Sequence, residues 1–100
     1  MLNSLEILQP DDWHVHLREG DMLKMVTNFS SRINNRCVVM PNTIEPITDT
    51  NKAIFYKNEI TKASSTNFEP LIPCYLTESL DVENFRMGLQ KNFFFGAKLY

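Results

Sequence analysis

Glycine and histidine are both scarce in this chain, with three glycines and two histidines among 100 residues. No glycine-rich phosphate loop follows the first apolar run, which argues against a dinucleotide-binding fold. Cysteine is limited to Cys37 and Cys74, each inside an apolar run (Cys37-Val38-Val39-Met40 and Leu71-Ile72-Pro73-Cys74-Tyr75-Leu76) and neither in a C-x-x-C pair. Both are expected to be reduced, buried thiols. Neither sign of charge dominates. The formal net charge is -2 and the lysines and arginines are scattered, so there is no electrostatic reason to expect nucleic acid or an anionic membrane as a partner. No apolar run is long enough to cross a bilayer. Residues 1–9 lack the basic segment and apolar core of a secretory leader. The expectation is a cytoplasmic protein. Internal repeats and low-complexity segments are absent too.

What remains is globular in composition, 43% hydrophobic and 22% charged. Short β-rich runs alternate with amphipathic helical stretches. The first β-run is Trp13 to Leu17. Asp21 is a candidate helix N-cap, and Met22, Val26, Phe29 and Ile33 then make a helical stripe. A second β-run, Cys37 to Met40, stops at the turn signal Pro41-Asn42. Asp49 or Thr50 can cap a second helix, with Ala53, Ile54, Lys57 and Ile60 along one side. A third β-run covers Leu71 to Leu76, against the presence of Pro73, which cannot donate to a sheet ladder. Asp81 starts a third helix with Val82, Phe85 and Leu89 as its stripe, and Phe93 to Tyr100 is a fourth β-run. The order β-α-β-α-β-α-β predicts an α/β fold with parallel strands joined by right-handed crossovers. That is half the strands of an eight-stranded (β/α)8 barrel, which needs about 250 residues.

The chemistry concentrates in Asp12-Trp13-His14-Val15-His16-Leu17-Arg18. On a strand, residues i and i+2 share a face, so His14 and His16 are expected side by side, with Val15 turned into the helix layer. Two imidazoles so placed can bind one Zn²⁺. Histidines on a surface or in a core are commoner, but these two are the only ones in the chain and they share one face. Arg18 continues that face. A guanidinium beside a metal calls for an intervening anion, which points to a substrate carboxylate gripped bidentately; an ordinary surface arginine is the alternative. Asn42, at the end of the second β-run, can hydrogen-bond the same carboxylate or simply occupy a turn. Lys98 follows Phe93-Phe94-Phe95-Gly96-Ala97. It either snorkels to water or is desolvated and captures CO₂ as a carbamate, with Gly96 and Ala97 leaving room.

Taken in order, Asp12-Trp13-His14-Val15-His16-Leu17-Arg18-Glu19-Gly20-Asp21-Met22-Leu23, Met40-Pro41-Asn42, Cys74-Tyr75-Leu76-Thr77-Glu78-Ser79-Leu80 and Ala97-Lys98-Leu99-Tyr100 resemble the class II dihydroorotase family of the amidohydrolase superfamily. Class I members typically continue with Arg-Glu-Pro-Gly, whereas this chain has Arg18-Glu19-Gly20-Asp21. The resemblance runs from about Pro10 to Tyr100. It implies that residues 1–100 are the N-terminal part of a (β/α)8 barrel domain continuing past Tyr100. It further implies two Zn²⁺ per subunit, with His14 and His16 on the more buried ion and a carboxylated Lys98 bridging both. His16, Arg18 and Asn42 match substrate contacts, the last two on the carboxylate. The general-base aspartate and two further histidine ligands are expected beyond Tyr100, so no catalytic base is assigned here. The implied activity is reversible cyclisation of N-carbamoyl-L-aspartate to L-dihydroorotate in pyrimidine biosynthesis, with a homodimer among the assemblies the resemblance allows. A hydantoinase- or allantoinase-type amidohydrolase, or a non-catalytic half-barrel, are the alternatives.

Overall fold

The computed structural model describes residues 3–100; the leader-free reading of the start falls partly on residues 1 and 2, outside the described residues. The elements in chain order are β1 (Asp11–Val15), α1 (Gly20–Ile33), β2 (Arg36–Val39), α2 (Thr50–Ala63), β3 (Glu69–Leu71), β4 (Cys74–Tyr75), α3 (Val82–Gln90) and β5 (Ala97–Lys98). Every strand pairing is parallel, with the strands in sequence order, β1-β2-β3 in one sheet and β4-β5 in another. This alternation of parallel strands and helices is the α/β arrangement expected from the sequence.

The third β-run is where Pro73 has its effect. The run is not one strand: β3 pairs with β2, the chain breaks at Ile72-Pro73, and β4 pairs with β5. Pro73 has no N–H and therefore sits where the segment changes partners. On either side of it the Phe95 N–H donates to the Ile72 carbonyl at 2.9 Å, and the Cys74 N–H to the Gly96 carbonyl at 2.8 Å. The fourth run is likewise shorter than expected, with only Ala97–Lys98 in a strand.

Two helix starts follow the expected capping. Asp49 accepts from the Lys52 N–H and Asp81 from the Asn84 N–H. Asp21 does not cap. It lies in the first turn of α1, and the cap position, Glu19, makes no side-chain cap bond. The stripes also differ from expectation. On α1 the buried residues are Leu23, Thr27 and Ser31, while Met22, Phe29 and Ile33 are exposed. The inward stripe is small because α1 lies close to the turn after α2, where the Thr66 hydroxyl donates to the Ser31 carbonyl and the Ser65 N–H to Asn28 Oδ1. On α2 Tyr56 replaces Ile54 on the buried side. On α3 Val82 and Leu89 are exposed, Phe85 is half-buried and Gly88 is buried.

The helix-side core gathers Leu17, Leu23, Cys37, Val39, Ile60 and Phe94, among others. Each fully buried aliphatic contributes about 1.5–3 kcal/mol. Both cysteines are buried and free. α3 is tied to the start of α2 by a reciprocal pair: Asn84 Oδ1 accepts from the Thr50 N–H and Asn84 Nδ2 donates to Thr50 Oγ1, both at 3.0 Å. That contact is close enough to require a glycine. A Cβ on Gly88 would lie 2.5 Å from Phe94 Cδ2 and 2.9 Å from Thr50 Cγ2, and both neighbours are almost fully buried. Gly88→Ala gains up to about 1 kcal/mol of helix propensity against roughly 1–3 kcal/mol of overpacking. The variant of the full-length protein should therefore unfold at a lower urea midpoint than the parent. A higher midpoint would show that Phe94 can move aside.

Candidate active site

The first strand carries a bulge. Asp12 lies opposite Cys37 and Val15 opposite Val39, so Trp13 and His14 together face Val38 alone. An inserted residue of this kind re-aims a side chain. The Trp13 ring lies 5.6 Å from that of Phe95, with the Arg36 guanidinium 5.6 Å above it. His14 lines a cavity of about 270 Å³ with Val38, Met40, Phe95, Gly96 and Lys98. Trp13 and His14 therefore both face away from the helices, while Val15 packs into the helix-side core. Asp12 Oδ1 accepts the His14 N–H at 3.0 Å. Across Val15, the His14 and His16 rings come within 5.3 Å of one another. The expected neighbourhood of the two imidazoles is present, although the regular strand ends at Val15 rather than Leu17.

Beyond the strand, alternation no longer governs. Leu17 is fully buried in the core. Arg18 adopts a left-handed backbone with φ 62°, a conformation that costs a non-glycine residue on the order of 1 kcal/mol. Its carbonyl accepts the Tyr56 hydroxyl at 2.7 Å, and the neighbouring Glu19 Oε1 accepts the Ile44 N–H at 2.7 Å. The outcome still brings the expected residues together. His16, Arg18 and Asn42 line one cavity of about 370 Å³, with Met40 and Tyr56 in its wall.

Lys98 reaches this region from β5. Its Nζ donates to Asn42 Oδ1 at 3.2 Å, lies 3.3 Å from Met40 Sδ, and sits 5.7 Å above the Tyr100 ring. None of the ion pairs among the described residues involves it. Gly96 leaves open space beside it, since a Cβ there would meet nothing within 4 Å. His14 and Lys98 thus share one cavity, His16, Arg18 and Asn42 share the next, and Met40 lines both. Burial, followed by the charges of Arg18, His14 and Lys98, holds the His16 imidazole below its usual value of 6.5. Its neutral form, the one that ligates metal, is favoured. Among the described residues no group of three or more His, Cys, Asp and Glu side chains assembles a complete metal site.

A larger cavity, about 550 Å³, lies elsewhere, between α1 and α2 over Leu23, Ile47 and Phe55. It contains neither histidine nor Lys98. Tyr56, Glu19 and Asp12 carry hydrogen bonds that shape the site, and sequence pattern gave little sign of them. Only Tyr56 had a signal, lying three residues after Ala53 and four before Ile60 on the buried side of α2.

No family model matches the chain. Curated proteins do. The chain is 50% identical over 98 residues to the dihydroorotase of Escherichia fergusonii and 49% identical to that of Salmonella heidelberg. Each match covers 96% of this chain but 28% of the relative. Among solved structures it matches a dihydroorotase from Campylobacter jejuni with TM-score 0.82 and 33% identity, over 92% of this chain and 27% of that one. It also matches the Saccharomyces cerevisiae dihydroorotase solved with 5-fluoroorotic acid, with TM-score 0.83 and 30% identity over 91% of this chain and 25% of that one. In sequence and in fold alike, the chain is similar to dihydroorotases over nearly all of its own length and about a quarter of theirs.

Proposed function

We propose that this chain is part of a dihydroorotase that interconverts N-carbamoyl-L-aspartate and L-dihydroorotate, acting in the cytoplasm. The observation that carries the reading is the gathering of His16, Arg18 and Asn42 on one cavity beside His14 and Lys98. The substrate has a carboxylate that the reaction leaves unchanged. A planar guanidinium can grip it in two parallel hydrogen bonds, and Asn42 adds a side-chain amide to the grip. A plain hydantoin has no such carboxylate, so this pairing favours dihydroorotate over a hydantoinase-type substrate. Two buried, free thiols suit a reducing compartment.

The donor set fits Zn²⁺. Two imidazoles lie side by side, and the environment of His16 favours the neutral, ligating form. Lys98 fits as a carbamate rather than as an ammonium, which two dications would repel. Gly96 and Lys98 line one cavity of about 270 Å³, which supports room for the added group. His14, His16 and carboxylated Lys98 would then hold two ions, with the remaining ligands and the general base supplied by the rest of the enzyme. When bound, Zn²⁺ supplies a Lewis acid for the amide carbonyl and lowers the pKa of water. This chain's own residues orient the substrate: Arg18 and Asn42 fix one end so that the ring amide lies toward His16.

Two measurements on the full-length enzyme test the reading. His14→Ala, His16→Ala and Lys98→Ala should each lower zinc content by elemental analysis. Carbon-13-labelled bicarbonate should give a carbamate resonance that Lys98→Ala removes. Unchanged zinc in all three variants would defeat the metal assignment. Separately, Arg18→Lys should raise the KM for L-dihydroorotate by about tenfold or more, because a point charge cannot reproduce the planar fork. An unaltered kcat/KM would show that Arg18 does not hold the carboxylate.

A further inference from the structure

Arg18 and Asn42 sit on different loops, and each loop is free to move unless something fixes it. Arg18 lies in the turn between β1 and α1, in a left-handed conformation that a long side chain does not favour on its own. Two hydrogen bonds hold that turn from outside it. The Tyr56 hydroxyl, reaching from the buried side of α2, donates to the Arg18 carbonyl at 2.7 Å. Glu19 Oε1 accepts the Ile44 N–H at 2.7 Å. Ile44 lies two residues after Asn42, in a loop closed on itself by the Ile47 N–H to Pro41 carbonyl bond at 2.9 Å and the Thr43 hydroxyl to Glu45 carbonyl bond at 2.6 Å. The Arg18 turn is therefore fastened to the helix behind it and to the loop that carries Asn42.

We infer that Tyr56 and Glu19 are positioning residues that set the distance between Arg18 and Asn42, and so the affinity for the substrate carboxylate. Neither needs to touch the substrate. Burial, reinforced by the Glu19 carboxylate, pushes the Tyr56 hydroxyl well above its usual range, so it stays a donor across any working pH. Glu19 acts as an acceptor, which a glutamine can replace. The inference rests on the carboxylate-binding role given to Arg18 under the proposed function.

The carboxylate is chemically unchanged in the reaction, so its grip is of the same strength in ground and transition states. Loosening it raises KM and leaves kcat near its starting value. In the zinc-loaded full-length enzyme, Tyr56→Phe and Glu19→Ala should each raise the KM for L-dihydroorotate by about three- to tenfold, the factor carried by one lost hydrogen bond. Glu19→Gln, which keeps the acceptor, should restore it. Combined with Arg18→Lys, Tyr56→Phe should cost less than the product of the two separate effects, as coupled residues do. A merely structural tyrosine would lower the melting temperature and leave KM alone. If Arg18→Lys raises KM while Tyr56→Phe and Glu19→Ala do not, the positioning role is wrong and the proposed function stands. If Arg18→Lys itself leaves KM unchanged, the carboxylate reading fails and the positioning role falls with it. Should Tyr56→Phe fold poorly, the Glu19→Ala and Glu19→Gln pair decides the question alone.

Discussion

Between Asp12 and Val15 the first strand spends one residue more than its neighbour, and the site is built on that mismatch. A regular strand would turn Trp13 and His14 to opposite faces. The bulge turns both toward the side that the helices leave uncovered, where Trp13 meets Phe95 and Arg36 and His14 shares a cavity with Lys98. It also explains the carboxylate of Asp12, which takes the His14 N–H that the disrupted ladder leaves behind. Pairing resumes at once: the Met40 N–H donates to the Val15 carbonyl at 2.8 Å, locking the end of the strand. With Val15 fixed in the helix-side core, the following residues can leave the sheet and form the Arg18 turn.

The charges around this site are unbalanced in a specific direction. Arg18 and Lys98 both approach the imidazoles, and together with burial they oppose protonation of His16. Two carboxylates of this region accept backbone N–H groups, Asp12 that of His14 and Glu19 that of Ile44. Lys98 donates only to a neutral amide oxygen and a thioether. Arg18 lines one cavity and Lys98 the next, and each places a cation where an entering anion is stabilised. That is the electrostatic ground for reading the site as one that takes a substrate carboxylate, and for reading Lys98 as the bearer of a carbamate.

The sequence made some of this legible and hid the rest for identifiable reasons. His14, His16 and Lys98 stand out because each is the wrong kind of residue for a purely apolar run, whereas Asn42, an ordinary turn residue by type, is singled out by its place at the end of the second β-run. Asp49 and Asp81 were legible because capping is local, decided within three residues. The faces of α1 and α3 were not. Hydrophobicity selects Met22, Phe29 and Ile33, whereas burial depends on which neighbour the helix meets, and α1 meets its neighbours through Thr27 and Ser31. The run around Pro73 was read as one strand because composition does not reveal a change of partner. The hydrogen bonds of Tyr56 and Glu19 were hidden for a further reason. Their partners are backbone groups 38 and 25 residues away, and no local pattern announces a bond to a distant carbonyl or N–H.

Parallel pairing then explains why residues so far apart in sequence meet at all. When each strand is followed by a crossover, every strand points the same way, so all their C-terminal ends lie at one end of the sheet. His16 and Arg18 leave β1 there and Asn42 leaves β2 there, while Lys98, in β5 of the second sheet, comes within 3.2 Å of Asn42, 56 residues away in sequence. The same rule orients the helices. α1 begins at Gly20, just after β1 ends at Val15, so its N-terminus, the positive end of its dipole, also lies toward that end of the sheet. Val39, Ile60 and Phe94 close the core on the helix side, and the loops at this end add Leu17 and Ile47 to it. The fold thus divides the work past the strand ends: Leu17 turns back to the helix-side core, while His16, Arg18 and Asn42 line the cavity on the other side.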